Sequence, residues 1–99
     1  MNIRILDLAE CDLLAGFFFY EDQQTGIGDY FLDSMYSEID SLFLYAGIHK
    51  QVFGRHRQLC RRFPFAIYYS MDGDAISVWR VLDLRRDPTW IAAQLRSSS

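Results

Sequence analysis

Cysteine, proline and long apolar runs are scarce in this sequence, and basic residues are nearly missing from its first half. Cys11 and Cys60 are the only thiols, and neither stands at a metal-like or redox-like spacing. That excludes a disulfide framework and a zinc module, and predicts two buried, reduced side chains with no metal and no cofactor. Pro64 and Pro88 are the only prolines, and both fall at the borders of apolar runs, where proline punctuates structure. No segment reaches the roughly 18 to 20 uninterrupted apolar residues that span a bilayer, so no membrane partner is expected. The opening Met1-Asn2-Ile3-Arg4 lacks the charged-then-apolar pattern of a secretion signal, which predicts a cytoplasmic location. Residues 1–48 hold one base, Arg4, against nine acids, whereas residues 49–99 hold nine bases against four acids. The net charge of −3 therefore conceals an acidic first half and a basic second half. Such asymmetry fits a basic functional face on an acidic scaffold, or acids on solvated helix faces with arginines at strand ends.

What is present predicts a folded single domain over residues 1–96, with 97–99 as a disordered tail. Ninety-nine residues that are 51% hydrophobic and 16% aromatic suffice for one core and not for two. The organising stretch runs from Arg61 to Trp90. Two apolar runs, Phe63 to Met71 and Ala75 to Leu84, flank Asp72-Gly73-Asp74, and an Asp-Gly step between such runs signals a tight hairpin because Gly accepts a positive φ. Antiparallel pairing of the two runs brings Arg61 and Arg62 to the same sheet end as Arg85 and Arg86. Strict alternation in the second run would align Ile76 and Val78 with Arg80, so either both faces are covered or a bulge near Trp79 resets the register.

Along the chain, Asn2 to Leu6 reads as a first strand. Asp7 and Glu10 resemble a capping box for a helix whose apolar face holds Leu13, Leu14, Phe17, Phe18 and Tyr20, and Gln23-Gln24-Thr25-Gly26 stops it. Gly16 weakens that helix and allows close packing. Leu32, Met35, Ile39, Leu42 and Ala46 make one stripe of a second helix over Asp29 to Ala46, with Gly47 as its left-handed end. The short linker Thr25-Gly26-Ile27-Gly28 makes the pair an antiparallel helical hairpin. A basic stretch from Ile48 to Arg57 leads to a strand over Gln58 to Arg62, then come the two hairpin strands, and Thr89 to Leu95 forms a short terminal helical turn. The fold class is α+β: an N-terminal strand, an antiparallel helical hairpin and three antiparallel strands, with the helices on one face of the sheet.

In this order, and in Gly28-Asp29-Tyr30-Phe31-Leu32, Arg62-Phe63-Pro64-Phe65-Ala66-Ile67-Tyr68-Tyr69 and Val81-Leu82-Asp83-Leu84-Arg85-Arg86-Asp87-Pro88-Thr89-Trp90, the sequence resembles the RelE/ParE superfamily of type II toxin–antitoxin toxins. The last two pieces look closer to the ParE side. The resemblance implies a small bacterial, cytoplasmic toxin of a plasmid-stabilisation type, neutralised by a cognate antitoxin. ParE-like members act by binding DNA gyrase, and RelE-like members cut messenger RNA on the ribosome. Members tend to be basic, and this chain is acidic, so a non-toxic module that only binds its antitoxin is a third reading.

Cutting RNA through its 2′-OH needs a base, an acid and cations. Arginines supply the cations but not the base, since a guanidinium does not deprotonate in proteins. His49 and His56 are the titrating groups near the basic stretch, and His56 with Arg62 and Arg86 forms the candidate catalytic set for the nuclease reading. The candidate target-binding residues are Arg57, Arg61, Arg62, Arg85, Arg86 and Trp90, whose planar donors and ring suit phosphate or an acidic protein surface. Ion pairing of Arg85 and Arg86 with Asp83 and Asp87 is the structural alternative. Phe17, Phe18, Phe19 and Phe43 together exceed what two helices need to cover a sheet, and Phe17, Phe18 and Phe43 are candidate contacts for an antitoxin or for a second copy in a homodimer.

Overall fold

The protein, described here over residues 2–97 of a computed structural model, is built on a five-stranded sheet. The elements are β1 (Asn2–Ile5), α1 (Asp7–Gln23), α2 (Ile27–Asp40), α3 (Leu42–Tyr45), β2 (Gln51–Val52), β3 (Arg55–Leu59), β4 (Phe65–Asp72), β5 (Ala75–Asp83) and α4 (Pro88–Ser97). The strand order is β1-β5-β4-β3-β2, with β1 parallel to β5 and every other pair antiparallel. The expected α+β architecture is therefore the observed one.

Helices α1 and α2 form the expected antiparallel hairpin on one sheet face. Ala9, Leu13 and Tyr20 of α1 and Phe31, Met35 and Ile39 of α2 share a core with Phe65, Ile67 and Tyr69 of β4 and Ile76, Val78 and Val81 of β5. Gly16 has the role read for it: a Cβ there would lie 2.5 Å from the Phe31 ring, so the helices approach as closely as they do only because that position lacks a side chain. The opposite face is covered too. Alternation along β4 turns Ala66 and Tyr68 away from the helical hairpin, and they pack with Leu82 under Ile91 and Leu95 of α4. Helices therefore occupy both faces rather than one. The fourth sequence-predicted strand has both of the features weighed for it: Tyr68 pairs with Arg80 and Tyr69 with Val78, leaving Trp79 as the extra residue of a bulge.

Five local expectations are corrected. No side chain caps α1; Leu6 is its N-cap and still belongs to the sheet through its N–H to Val78 O (3.0 Å), so Asp7 and Glu10 serve only as acids in the first turn. The second helix stops at Asp40 rather than Ala46. There Ser41 Oγ (2.6 Å) and Gln58 Nε2 (3.1 Å) both donate to the Glu38 carbonyl, and this competition interrupts the ladder before α3. The basic stretch is not a connector. It folds into the β2–β3 hairpin, whose turn residues Phe53 (φ 53°) and Gly54 (φ 81°) are both left-handed, and β3 accordingly spans Arg55–Leu59 rather than 58–62. The terminal helix runs through Ser97, taking that residue out of the expected tail; the rest of the tail lies outside the described residues. Cys11 is exposed on α1, and only Cys60 is half-buried.

The sheet has two incompletely covered edges. β1 pairs with β5 only from Ala75 to Val78. β2 pairs with β3 only at Arg55 and His56, with one further bond from Arg57 N–H to Lys50 O (2.9 Å).

Candidate functional site

The β4–β5 hairpin does bring the arginine pairs to one end of the sheet, since Phe65 pairs with Asp83. Their side chains then part. Arg85 lies in an ion pair with Asp83 at 2.7 Å and reaches Tyr20 Oη at 3.5 Å. Burial alone would raise the Asp83 pKa, but hydrogen bonds from Arg85 and its charge outweigh that and hold it below the usual carboxylate range. Asp87 does not pair with an arginine; its carboxylate accepts from Thr89 N–H (2.7 Å) and starts α4. Arg86 stacks on the Trp90 ring at 3.8 Å from its centroid, and both line a small cavity of about 200 Å³ with Phe19 and Asp83. Arg62 lies exposed, 6.0 Å from the Tyr30 ring centroid. Of the two readings of this edge, the internal ion pair accounts for Arg85 and leaves Arg62, Arg86 and Trp90 available.

His56 stands apart from that edge. It pairs with Tyr69 across the sheet, four residues along β3 from Cys60, which is about 13 Å of strand. Its ring stacks on Tyr69 at 5.1 Å, and its Nδ1 lies 2.8 Å from the His49 carbonyl. The Tyr69 hydroxyl contacts His49 Nδ1 and accepts the Gly47 N–H at 2.9 Å. Burial, with a smaller contribution from His56, lowers the His49 pKa; burial likewise raises that of Tyr69 against the hydrogen bonds of Gly47 and His49. The proposed set of His56, Arg62 and Arg86 is thus divided between two parts of the molecule.

The larger concavity, about 710 Å³, lies along the outer edge of β3. Glu38, Ser41 and Tyr45 wall it on the helical side, Ile48, His49 and Lys50 close one end, and Arg57, Gln58, Leu59 and Arg61 form its strand side. Two predicted residues, Arg57 and Arg61, meet there. Arg61 N–H donates to Glu38 Oε2 at 2.7 Å. Gln58 is 6% exposed, and its Nε2 donates to Glu38 O, Glu38 Oε1 and Ser41 Oγ at 3.0 to 3.2 Å. Its Oε1 has no hydrogen-bond partner among the described residues. Three acceptors around the nitrogen fix the amide orientation. Sequence reasoning missed Gln58, Glu38 and Lys50 because they come from three elements whose association no local pattern reports.

The aromatic surplus is distributed over separate helices. Phe18 on α1 and Phe43 on α3 are each about half exposed, and Phe17 is half-buried, edge-to-face with Phe18 at 5.2 Å. Among the described residues, no group of three or more His, Cys, Asp or Glu is placed to hold a metal ion, and no helix is long and apolar enough to cross a membrane.

This arrangement, a strand, a helical hairpin and a hairpin-built antiparallel sheet backed by a terminal helix, is a fold shared with a solved structure. The chain is similar to a chain of the solved structure described as "Chromosomal ParDE TA system from P. aeruginosa", with a TM-score of 0.77 and 19% identity over 85% of this chain and 96% of that one. No family model and no curated protein sequence matches the chain.

Proposed function

We propose that this chain is a ParE-like toxin of a type II toxin–antitoxin system, acting in the bacterial cytoplasm by binding a target such as DNA gyrase and neutralised by a cognate antitoxin. The observation that carries the reading is the fold, shared over 96% of a chain from a ParDE system. The chemistry at the arginine edge supports binding over hydrolysis. Arg62, Arg86 and Trp90 present cations and a ring, while His56 sits elsewhere on β3 and His49 precedes β2. A guanidinium cannot act as the base, so an edge of this composition holds an anionic surface without cleaving it.

Inducible expression in a bacterial host without the antitoxin tests this. The expected result is growth arrest with relaxed plasmid and intact transcripts, relieved by Arg86→Ala or Arg62→Ala with the melting temperature within a few degrees of the parent. Arrest with cut transcripts would transfer the reading to the ribosome-dependent nuclease, and unimpaired growth would leave only the antitoxin-binding module.

A further inference from the structure

The two most exposed large apolar side chains among the described residues lie on one short segment that the proposed function does not use. α3 is a single turn, so only Leu42 reaches the core, and Phe43, Leu44 and Tyr45 are turned outward. Leu44 is 80% exposed, and Ile48, just beyond the left-handed Gly47 (φ 94°), is 74% exposed. Exposed Met71 of β4 extends the patch, since a Cβ on Gly47 would lie 3.0 Å from its Sδ. Charges of opposite sign bound the segment. Asp40 stands one helical turn before Leu44, and Lys50 stands two residues beyond Ile48; both are exposed, and neither is ion-paired among the described residues. The order along the segment is therefore acid, apolar, cation. The arginine edge is remote from it, because six positions of β4, about 20 Å of strand, separate Met71 from Phe65.

We infer that this segment is a self-association surface, on which a second copy of the chain docks antiparallel and sets its Asp40 beside Lys50 and its Lys50 beside Asp40. A two-fold axis through the apolar stretch makes the two charge pairs equivalent, as an isologous interface requires. Docking removes from water side chains that a lone chain leaves hydrated. The apolar face of α1 is not self-complementary in this way. Leu14 shares its groove with Asp7 and Glu10, and residues 5–48 contain no lysine or arginine, so a second copy there would set acids against acids. Phe43 therefore belongs to the self-complementary surface, and Phe17 and Phe18 do not. A lipid surface fits less well than a second copy, because anionic headgroups attract Lys50 but repel Asp40. Area sets the strength: Phe43, Leu44, Tyr45 and Ile48 present on the order of 600 Å² per copy, short of the ~800 Å² per partner of a standard interface, so the dimer is weak and reversible. The inference does not rest on the toxin reading, whose arginines lie at the other end of the sheet.

Sedimentation equilibrium of the full chain, from about 1 µM to about 1 mM, tests this, and the expected result is a reversible monomer–dimer equilibrium with a midpoint on the order of 100 µM. Leu44→Lys is expected to weaken association at least about tenfold. Asp40→Lys and Lys50→Asp are each expected to stay monomeric over that range, because each sets like charges together. Asp40→Lys keeps the fold, since a cation at the C-terminal end of α2 suits the helix dipole. Mixing these two variants in equal amounts is expected to restore a one-to-one heterodimer, in which both pairs are again of opposite sign. Misfolding of either variant cannot produce that recovery. A monomer at every concentration, a dimer indifferent to Leu44→Lys, or no association on mixing overturns the inference. Binding to phosphatidylglycerol vesicles by a chain that stays monomeric overturns it in favour of a lipid surface. All of these are measurements on the purified chain without any target, so this surface and the toxin reading fail separately.

Discussion

The two sides of the sheet meet the same difficulty and treat it differently. Each has a long strand that outruns its short neighbour, β5 beyond β1 and β3 beyond β2. At β5 the exposed length is closed by a helix. Asp12 of α1 accepts Val81 N–H (2.9 Å) and holds the Arg80 guanidinium at 2.7 and 2.8 Å, while Arg80 Nη1 donates to Gln94 Oε1 of α4 (3.0 Å). One buried arginine therefore ties the layers on both faces across an edge that would otherwise be free. At β3 the neighbouring helix stops at Asp40, and its end supplies Glu38 to Arg61 and Gln58 but nothing to Leu59. The contrast separates structural from available charge. Arg80 is paired and buried, whereas Arg61, Arg62 and Arg86 are exposed at edges and rings where a partner can reach them.

The comparison can be broken most severely at Asp12. Asp12→Ala strands a buried guanidinium and an unpaired Val81 N–H, and is expected to cost about 3 to 5 kcal/mol in denaturant unfolding. A loss under about 1 kcal/mol would show that the β5 edge is not closed by this pair. Next comes Gly16→Ala, which forces α1 off the Phe31 ring and is expected to cost about 1 to 3 kcal/mol. An unchanged unfolding midpoint would refute the close helix contact.

Smaller effects sharpen the β3 side. Because burial lowers the His49 pKa, the unfolded chain binds more protons there. The corresponding stability is complete above about pH 6.5, the unfolded value, and declines as pH falls through the lower folded value. The Asp83 pKa is also depressed, but its contribution is present above about pH 4 and is lost only below that. Melting temperature should therefore drop between pH 7 and 5, and His49→Gln should flatten that slope; an equal slope in the variant would contradict the assignment. Leu59→Thr, at an exposed edge position, should change stability by no more than about 0.5 kcal/mol. The smallest test is chemical. Burial pushes the Cys60 thiol up to about 12, so alkylation at pH 8 should modify exposed Cys11 and spare Cys60 until the chain unfolds. Equal labelling of both in the folded chain would contradict that burial.

Much of this was legible in the sequence where the signal is local. The stripe of Met35 and Ile39 and the Asp72-Gly73 turn gave the helical hairpin and the central strands, because helical period and turn chemistry are written in neighbouring residues. The anomaly at Arg80 was visible as a broken alternation, but its cause, a carboxylate 68 residues away, was not. The β2–β3 turn was missed because Phe53 adopts a left-handed conformation that a bulky side chain disfavours, so Phe-Gly does not read as a turn. The arginine pairs were placed at one end correctly by hairpin logic, yet only the structure shows Arg85 held by Asp83 and Arg86 stacked on Trp90. The groove was illegible for the same reason as the Arg80–Asp12 pair: it joins α2, α3 and β3 through a helix that Ser41 interrupts.

The most direct measurement is amide hydrogen exchange of the free protein, comparing Leu59 with Val81. The account predicts that Val81 is protected to the limit of global unfolding through its bond to Asp12, and that Leu59 exchanges orders of magnitude faster, as an unpaired edge amide. Equal protection of the two amides would mean that the β3 edge is closed as well, and that the contrast between the two sides of the sheet does not hold.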